Sequence, residues 1–336
     1  MVEIKAKEQV LIYYFSGSGN AKQVAFWFAE LAKQKEFEAQ TIDIAKTDVL
    51  SIKEIPSDAL ILFISPIHGF NYPEITLRFI ENFPKGKNRV VLMNTRAGLK
   101  CGRFVTPGLT GVAFLISSIF LKIKGYKIFG AVPFDMPSNW ITLHPVLKKE
   151  SKEFLFQVNY ERVKKHAEKI FSGKRDLWAC RDIVQDLLIS PISFAYFLLG
   201  RFILSKSFYA NDQCNLCGLC IKECPTQAIK MVNNRPYWTL KCQNCMMCVY
   251  RCPRKAIEAA HGLFLITSIV YSVLMSLLFN SFIKIKSPFM DWMVTSILFL
   301  TLLLSFYKVQ HLLLKNKTIA KIISKTSLTH YKFWQK

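Results

Sequence analysis

Eight of the ten cysteines fall into two copies of one pattern, C-x-x-C-x-x-C-x-x-x-C-P. The first copy is Cys214, Cys217, Cys220 and Cys224 with Pro225; the second, 28 residues on, is Cys242, Cys245, Cys248 and Cys252 with Pro253. No other feature restricts the fold as tightly, because thiols at this spacing have to close around inorganic centres. The pattern is that of two [4Fe–4S] clusters, in which the fourth cysteine of each run reaches across to the other cluster. One cluster is therefore expected on Cys214, Cys217, Cys220 and Cys252, the other on Cys242, Cys245, Cys248 and Cys224. The repeat continues past the cysteines, Thr226–Lys230 answering Arg254–Glu258, so the two halves are expected to close over a common small core in which Ile229 and Ile257 shield the clusters.

Two other uses of cysteine compete. Zinc needs only two C-x-x-C pairs and has no use for the third in-line cysteine or the Cys-Pro ending. A disulfide framework needs an oxidising compartment; here Met1–Glu8 is mostly polar and Val10–Phe15 is too short for a signal core. Residues 208–260 resemble the bacterial-type two-cluster ferredoxins.

The N-terminal half has another rhythm. Residues 9–15 form a nearly unbroken apolar run, as in a strand buried on both faces. Ser16-Gly17-Ser18-Gly19-Asn20 follows, then a helical stretch from Ala21 to Lys35 with apolar residues at 24, 25, 28, 31 and 32. A strand, a Gly/Ser loop and a helix in succession aim backbone N–H groups and hydroxyls at a phosphate beside the helix N-terminus. Strands are expected again at Ala59–Ser65, Arg89–Met93 and Tyr126–Phe134, with helices running to about Asn82 and from Val146 to Phe171, the last closing at Ser172-Gly173. Two further helices are expected to start at Thr106-Pro107 and at Ser190-Pro191, each with Ser or Thr at the N-cap and Pro at N1. The alternation implies a doubly wound parallel sheet with ligands bound beyond the C-terminal ends of its strands. No G-x-G-x-x-G occurs, so a nicotinamide-binding domain is not indicated.

Residues 8–173 resemble flavodoxin, and the resemblance implies FMN. On this reading Ser16, Gly17, Ser18, Gly19, Asn20 and Ala21 hold the phosphate, Ala21 standing where the family usually has threonine. Loops at 66–72, 94–98 and 136–140 would wrap the isoalloxazine through Pro66, His68, Gly69, Tyr72, Asn94, Thr95, Arg96, Gly98, Ser138, Asn139 and Trp140. Tyr72 and Trp140 are the aromatics able to stack on a flat ring; each has an ordinary alternative, as a loop and a core residue respectively. Arg96 either places charge near the flavin or sits in water. His68 and His144 read as loop or cap residues, and no acid–base pair stands out.

Past the clusters the composition changes. Gly262–Ile283 is 22 residues without a charge, and Phe289–Tyr307 is 19 with only Asp291. Each is long enough to cross a hydrocarbon core of about 30 Å, and Lys284–Pro288 would make the turn of a membrane hairpin. Seven lysines and no acidic residue from Lys308 onward, with Arg251, Arg254 and Lys255 before the first span, place both redox domains on the cytoplasmic side of the inner membrane. The net charge of +22 then meets anionic lipid rather than nucleic acid. The Ser190-Pro191 helix, interrupted by Pro191 and Arg201, is expected at an interface between domains or at the membrane surface rather than across the bilayer.

The expected organisation is a flavodoxin-like FMN domain over 1–173, an apolar helical linker over 174–207, a small α+β ferredoxin domain over 208–260, a membrane hairpin over 261–314 and a basic tail over 315–336. As a whole the chain is similar to flavodoxin–ferredoxin fusions, with the hairpin as an addition. The resemblance implies a membrane-anchored relay between a low-potential donor such as ferredoxin, two [4Fe–4S] clusters, FMN and an acceptor. Two alternatives stay open: an FMN-dependent reductase of an organic substrate or quinone, and an electron-transfer subunit or assembly factor of a membrane redox complex.

Overall fold

The computed structural model describes residues 8–281 and 288–335. The turn expected at Lys284–Pro288, the end of the first apolar span and the residues before Glu8 lie wholly or largely outside them. The chain divides into two compact units: one runs to Asn139 and resumes over Leu147–Tyr196, the other comprises Trp140–Val146 and Phe197–Lys336.

In the first unit β1 (Gln9–Tyr14), β2 (Glu38–Asp43), β3 (Leu60–Pro66), β4 (Arg89–Cys101) and β6 (Lys127–Pro137) form a parallel sheet in the order β2-β1-β3-β4-β6, while β5 (Phe104–Thr106) runs antiparallel to the far end of β4. Counting the parallel strands alone, this is the 2-1-3-4-5 order of flavodoxin-like sheets. Side chains alternate between two buried faces. Val10, Ile12 and Tyr14 join a core with α1 (Asn20–Gln34) and α4 (Lys149–Phe171). Tyr13 points the other way, stacking on Phe63 and meeting Phe79 and Phe83 at the end of α2 (Glu74–Asn82). This two-sided burial is why the strands read as continuous apolar runs. Helix α1 buries Ala21, Val24, Ala25, Phe28, Ala29 and Ala32, the i, i+3, i+4 stripe of a helix laid on a sheet. The end of α4 is capped as expected: Gly173 takes a φ of +75°, and the N–H of Lys174 donates to the carbonyl of Lys169.

Three local expectations are corrected. Residues 94–98 are not a loop. They continue β4 beside β6, from Asn94 opposite Pro133 to Gly98 opposite Pro137. No helix starts at Thr106-Pro107, where β5 ends; α3 starts at Ala113 (Ala113–Ile123). Between them Gly108 and Gly111 lie so close to the backbones of Ala97 and Phe70 that a Cβ on either would clash. Pro191 does not open a helix but sits inside α5 (Ile183–Ala195). Proline leaves the carbonyl four residues back without its donor, and the Ser190 hydroxyl donates to that carbonyl, Leu187 O, at 2.8 Å.

In the second unit a π-helical turn, Tyr196–Gly200 (its Tyr196 still in the first unit), leads into α6 (Arg201–Leu204). Strand β7 (Phe208–Ala210) pairs antiparallel with β10 (Ile257–Ala259), and β8 (Ile229–Val232) with β9 (Arg235–Trp238). The β8–β9 turn is Asn233-Asn234, both at positive φ, the requirement of a tight two-residue hairpin. Each cysteine run contributes one short helix, α7 (Leu219–Lys222) or α8 (Met247–Arg251). The apolar helices α9 (His261–Ser281) and α10 (Pro288–Leu313) pack on each other, with Tyr271 edge-on to Phe299. The end of α10 enters the core of this unit: Leu303 and Tyr307 are buried, and the Tyr307 hydroxyl donates to Phe208 O at 2.9 Å. The basic tail is folded as well. Asn316 caps α11 (Lys317–Lys325), Ser324 donates to the buried carboxylate of Glu258, and Trp334 of α12 (Lys332–Gln335) donates to Ile141 O.

Candidate functional site

The two cysteine runs fold alike. At residues related by the 28-residue shift the backbone turns to positive φ: Leu216 and Asn244, Gly218 and Met246, Gln227 and Lys255. Five of these six are not glycine, and each such residue costs about 1–3 kcal/mol. The loops are held in a form that wraps a centre. The repeat extends to hydrogen bonds: Ala228 N–H donates to Cys224 Sγ at 3.3 Å, and Ala256 N–H to Cys252 Sγ at 3.4 Å.

The side chains converge across the runs. Cys214, Cys217, Cys220 and Cys252 line one cavity with Ile257; Cys224, Cys242, Cys245 and Cys248 line another with Ile229. The fourth cysteine of each run thus sits with the other run's first three. Ile229 and Ile257, buried, take the shielding positions expected of them. Among the described residues, no three Cys, His, Asp or Glu side chains close tightly enough for one metal ion.

The chemistry of the donors agrees. Burial pushes the Cys220 thiol up to about 11, with Cys214, Cys252 and Cys217 adding to the effect. Burial likewise takes Cys242 up to about 12 and Cys248 well above the thiol range, with Cys245 and Cys224 adding to both. Four thiolates do not coexist in such a pocket unless the group they surround supplies positive charge, as ligated iron does. The second cavity holds two further groups that its cysteine pattern does not disclose. The buried Trp238 indole N–H lies where it favours the thiolate of Cys248. Lys206 is fully buried, with its ammonium on Trp238 O and 4.7 Å from the ring centroids of both Tyr237 and Tyr307. Burial lowers its pKa to about 8, against the raising effect of Cys242.

The other candidate site lies at the C-terminal edge of the parallel sheet. Helix α1 starts at Asn20 with no side-chain cap, preceded by Gly19 at a φ of +104°. The Ser16 hydroxyl accepts from Gly19 N–H, the Ser18 hydroxyl from Asn139 Nδ2 at 3.1 Å, and Asn20 Nδ2 donates to Pro137 O at 2.7 Å. The structure therefore brings 16–20 together with 137–139. Nothing lies within 4 Å of the place a Gly19 Cβ would occupy. An open, uncapped helix N-terminus flanked by two hydroxyls fits a phosphate.

The remaining expected contacts are distributed differently. Pro66 pairs with Thr95 across β3 and β4, and His68 makes a two-bonded turn with Asn71 that includes Gly69. Tyr72 is an interior residue, its hydroxyl donating to Met93 O at 2.8 Å and its ring edge-on to Phe114. Asn94 is buried against Thr110, and Gly98 against the Asp135 backbone. Arg96 is neither in water nor open to a ligand; it is buried in ion pairs with Asp135 at 2.6 Å and Asp182 at 2.5 Å. Burial opposes its charge, but Asp135 and Asp182 outweigh that and raise its pKa. Ser138 is half-buried between β6 and Asn139. Trp140 belongs to the second unit, donating to Asn244 Oδ1 at 2.7 Å, between Cys242 and Cys245 in sequence.

Residues 213–257 match the 4Fe-4S dicluster domain. No curated protein matches the chain. Among solved structures, flavodoxin 1 from Bacillus cereus is similar at 19% identity and a TM-score of 0.31, over 47% of this chain and 98% of that one. A flavodoxin from Fusobacterium nucleatum, bound to flavin mononucleotide, is similar at 13% identity and a TM-score of 0.34, over 50% and 99%. Rubredoxin oxygen:oxidoreductase from Desulfovibrio gigas is similar at 16% identity and a TM-score of 0.32, over 48% of this chain, which spans only 37% of that enzyme. What makes the first unit flavodoxin-like is its strand order. The chain joins that unit to an iron–sulfur dicluster segment.

Proposed function

We propose that the chain is a membrane-anchored iron–sulfur flavoprotein that relays electrons through two [4Fe–4S] clusters and FMN. The observation that carries this reading is the pair of cavities, each lined by four cysteines drawn from both runs. Cys214, Cys217, Cys220 and Cys252 hold one cluster, and Cys224, Cys242, Cys245 and Cys248 the other. Ser16, Ser18 and the backbone of Gly17–Ala21 hold the FMN phosphate. When bound, the clusters supply one-electron steps and the flavin one- or two-electron steps. The protein's own part is to fix ligands, exclude water and set charge. Backbone N–H groups of Ala228 and Ala256 stabilise the thiolates they touch, and the buried Lys206 favours added negative charge at the second cluster.

No general acid or base is required for electron transfer, and the buried Arg96–Asp135–Arg162 network is architecture rather than chemistry. Helices α9 and α10 supply the anchor through the apolar parts that lie before Leu303 of α10, where that helix enters the core of the second unit. The lysine-rich flank puts the redox domains on the cytoplasmic face of the inner membrane, where a soluble donor such as ferredoxin can reach them. Detergent-purified protein, kept anaerobic, tests the proposal: the expected content is about eight irons, eight sulfides and one flavin per chain. Rapid mixing with a reductant should show cluster reduction followed by flavin reduction, or the reverse. Zinc in place of iron, or clusters and flavin that never exchange electrons, rejects it.

A further inference from the structure

The helical run Trp178–Leu204 is 27 residues long, strongly apolar and little buried. Length and composition alone make it a membrane span. Its contacts do not. On one face, α5 is tied to the first unit near both of its ends. Asp182 pairs with Arg96, Gly111 N–H donates to Asp186 Oδ1 at 2.8 Å, and Ser193 donates to Phe70 O at 3.1 Å. At the end of this stripe the Tyr196 ring stands where a Cβ on Gly69 would be. A helix with one face bonded to a polar domain cannot be surrounded by lipid, because a span must be apolar all round.

The opposite face is a stripe of bare hydrocarbon. Val184, Leu187, Leu188, Ile192 and Phe194 are between 54% and 77% exposed. Their spacing, 184, 187, 188 and 192 at i, i+3 or i+4 and 194 at i+7 from 187, puts them on one side of the helix, so they form one ridge. Single exposed apolar residues need no explanation, but a contiguous ridge of this length does. The flanks are basic: Lys174, Arg175 and Arg181 precede it, and Arg201 follows, its guanidinium 4.5 Å from the rings of Phe197 and Phe202. An apolar ridge bounded by cationic side chains matches the acyl–headgroup boundary of an anionic bilayer.

We infer that α5 is an in-plane membrane-surface helix, its Val184–Phe194 ridge seated in anionic lipid while its polar stripe holds the loop edge of the sheet. The ridge thereby fixes the loops around Phe70 and Gly111 at the bilayer surface. The inference rests on the membrane reading of α9 and α10, and the experiment separates the two.

The test uses the full chain in vesicles of phosphatidylcholine and phosphatidylglycerol. Exposed Cys101 and Cys180 are replaced by serine, and an environment-sensitive fluorophore is placed singly by Val184→Cys, Leu188→Cys or Phe194→Cys. Leu50→Cys is the aqueous control, and Val273→Cys in α9 reports the anchor. Shallow-brominated lipids should quench the three α5 labels several-fold more than the Leu50→Cys label, and iodide several-fold less. Deep-brominated lipids should quench all three weakly and equally, with iron and flavin contents unchanged. A depth that rises steadily from Val184→Cys to Phe194→Cys means a crossing helix and overturns the inference. Labels open to iodide, or shielded from both quenchers as by a second protein, overturn it too. If Val273→Cys is lipid-quenched and the α5 labels are not, this inference fails alone; if neither is, the membrane anchor fails with it.

Discussion

Pairing across the cysteine runs makes a prediction that single substitutions cannot express and double ones can. Take Cys252→Ala, which by sequence belongs with Cys242, Cys245 and Cys248 but in space lines the cavity of Cys214, Cys217 and Cys220. Combined with Cys214→Ala, it damages one centre twice, so the other four-iron centre survives and about four of about eight irons per chain remain. Combined with Cys242→Ala, it damages both centres, and iron falls toward zero. Pairing within each run predicts the reverse. The contrast is therefore about four irons between two variants that each lack two thiols, well above the error of colorimetric iron and sulfide assays. Circular dichroism on both variants, with flavin content, guards against general unfolding; the first unit has no cysteine ligand and should keep its flavin in each. Low-temperature EPR of the reduced Cys214→Ala/Cys252→Ala protein should show an isolated cluster without the broadening that a second paramagnet causes. Equal iron in the two double variants, or more in Cys242→Ala/Cys252→Ala, would refute the cross-run arrangement.

Three further outcomes follow from particular residues. Gly19→Asp should abolish flavin retention and leave iron unchanged, because a carboxylate repels a phosphate at an uncapped helix N-terminus; Gly19→Asn, which tolerates positive φ better, should retain more flavin. Lys206→Met should lower the midpoint potential of one cluster only, since a buried cation favours the more negative reduced state. At a separation of about 10 Å and an effective dielectric near 20 the interaction is roughly 1–2 kcal/mol, several tens of millivolts, readable by EPR-monitored titration. His166, whose Nδ1 lies 2.6 Å from Asp176, has its pKa lowered by burial more than Asp176 raises it. The unfolded chain then takes up a proton near pH 6.5 that the folded unit refuses, so stability is full above that pH and falls as the pH drops toward the folded value. The temperature of flavin release should decline between pH 7.5 and 5.5, with a flatter decline in His166→Gln.

What could be read in the sequence is what repeats or alternates. The cysteine runs declared their partners because thiolate spacing is fixed by the centre they serve, and Ile229 and Ile257 followed from the same shift. The strands β1, β3 and β6 were legible because burial on both faces leaves them almost no polar residue. Strand β2 was not: Glu38–Asp43 is an edge strand of mostly polar residues, and only its pairing with β1 makes it a strand. The tail of β4 was hidden for a related reason. Thr95–Cys101 resembles a loop in composition, and its extension depends on β6 lying alongside as far as Gly98 and on β5 beyond it. Ser190-Pro191 resembled a helix start because a local rule says so, whereas Ser190 had another task, supplying the donor that Pro191 lacks. Trp140 and the tail helix α11 joined the cluster unit through long-range contacts with Asn244 and Glu258 that no local pattern announces. Lys206 had no signal beyond being a lysine in an apolar stretch.

The two cysteine sets share a scaffold but not an environment, and the difference orders them. The repeat supplies the common part: matching loops at positive φ and one backbone N–H on each crossing sulfur. Outside the repeat, symmetry breaks. Cys217 and the neighbouring Leu216 are exposed, so the first set faces solvent. Cys242 and Cys248 are buried, and the Lys206 ammonium and Trp238 N–H are set beside them alone. Cluster potential depends on net charge, hydrogen bonds to sulfur and exposure to water, and all three differ between the sets. On the proposed relay, a donor protein would bring its own redox centre closest to the set at the surface. On the same reading the buried set, with a cation and an N–H to stabilise added charge, would be the easier of the two to reduce. Sequence duplication fixed two equal positions, and a lysine and a tryptophan outside the cysteine runs made them unequal.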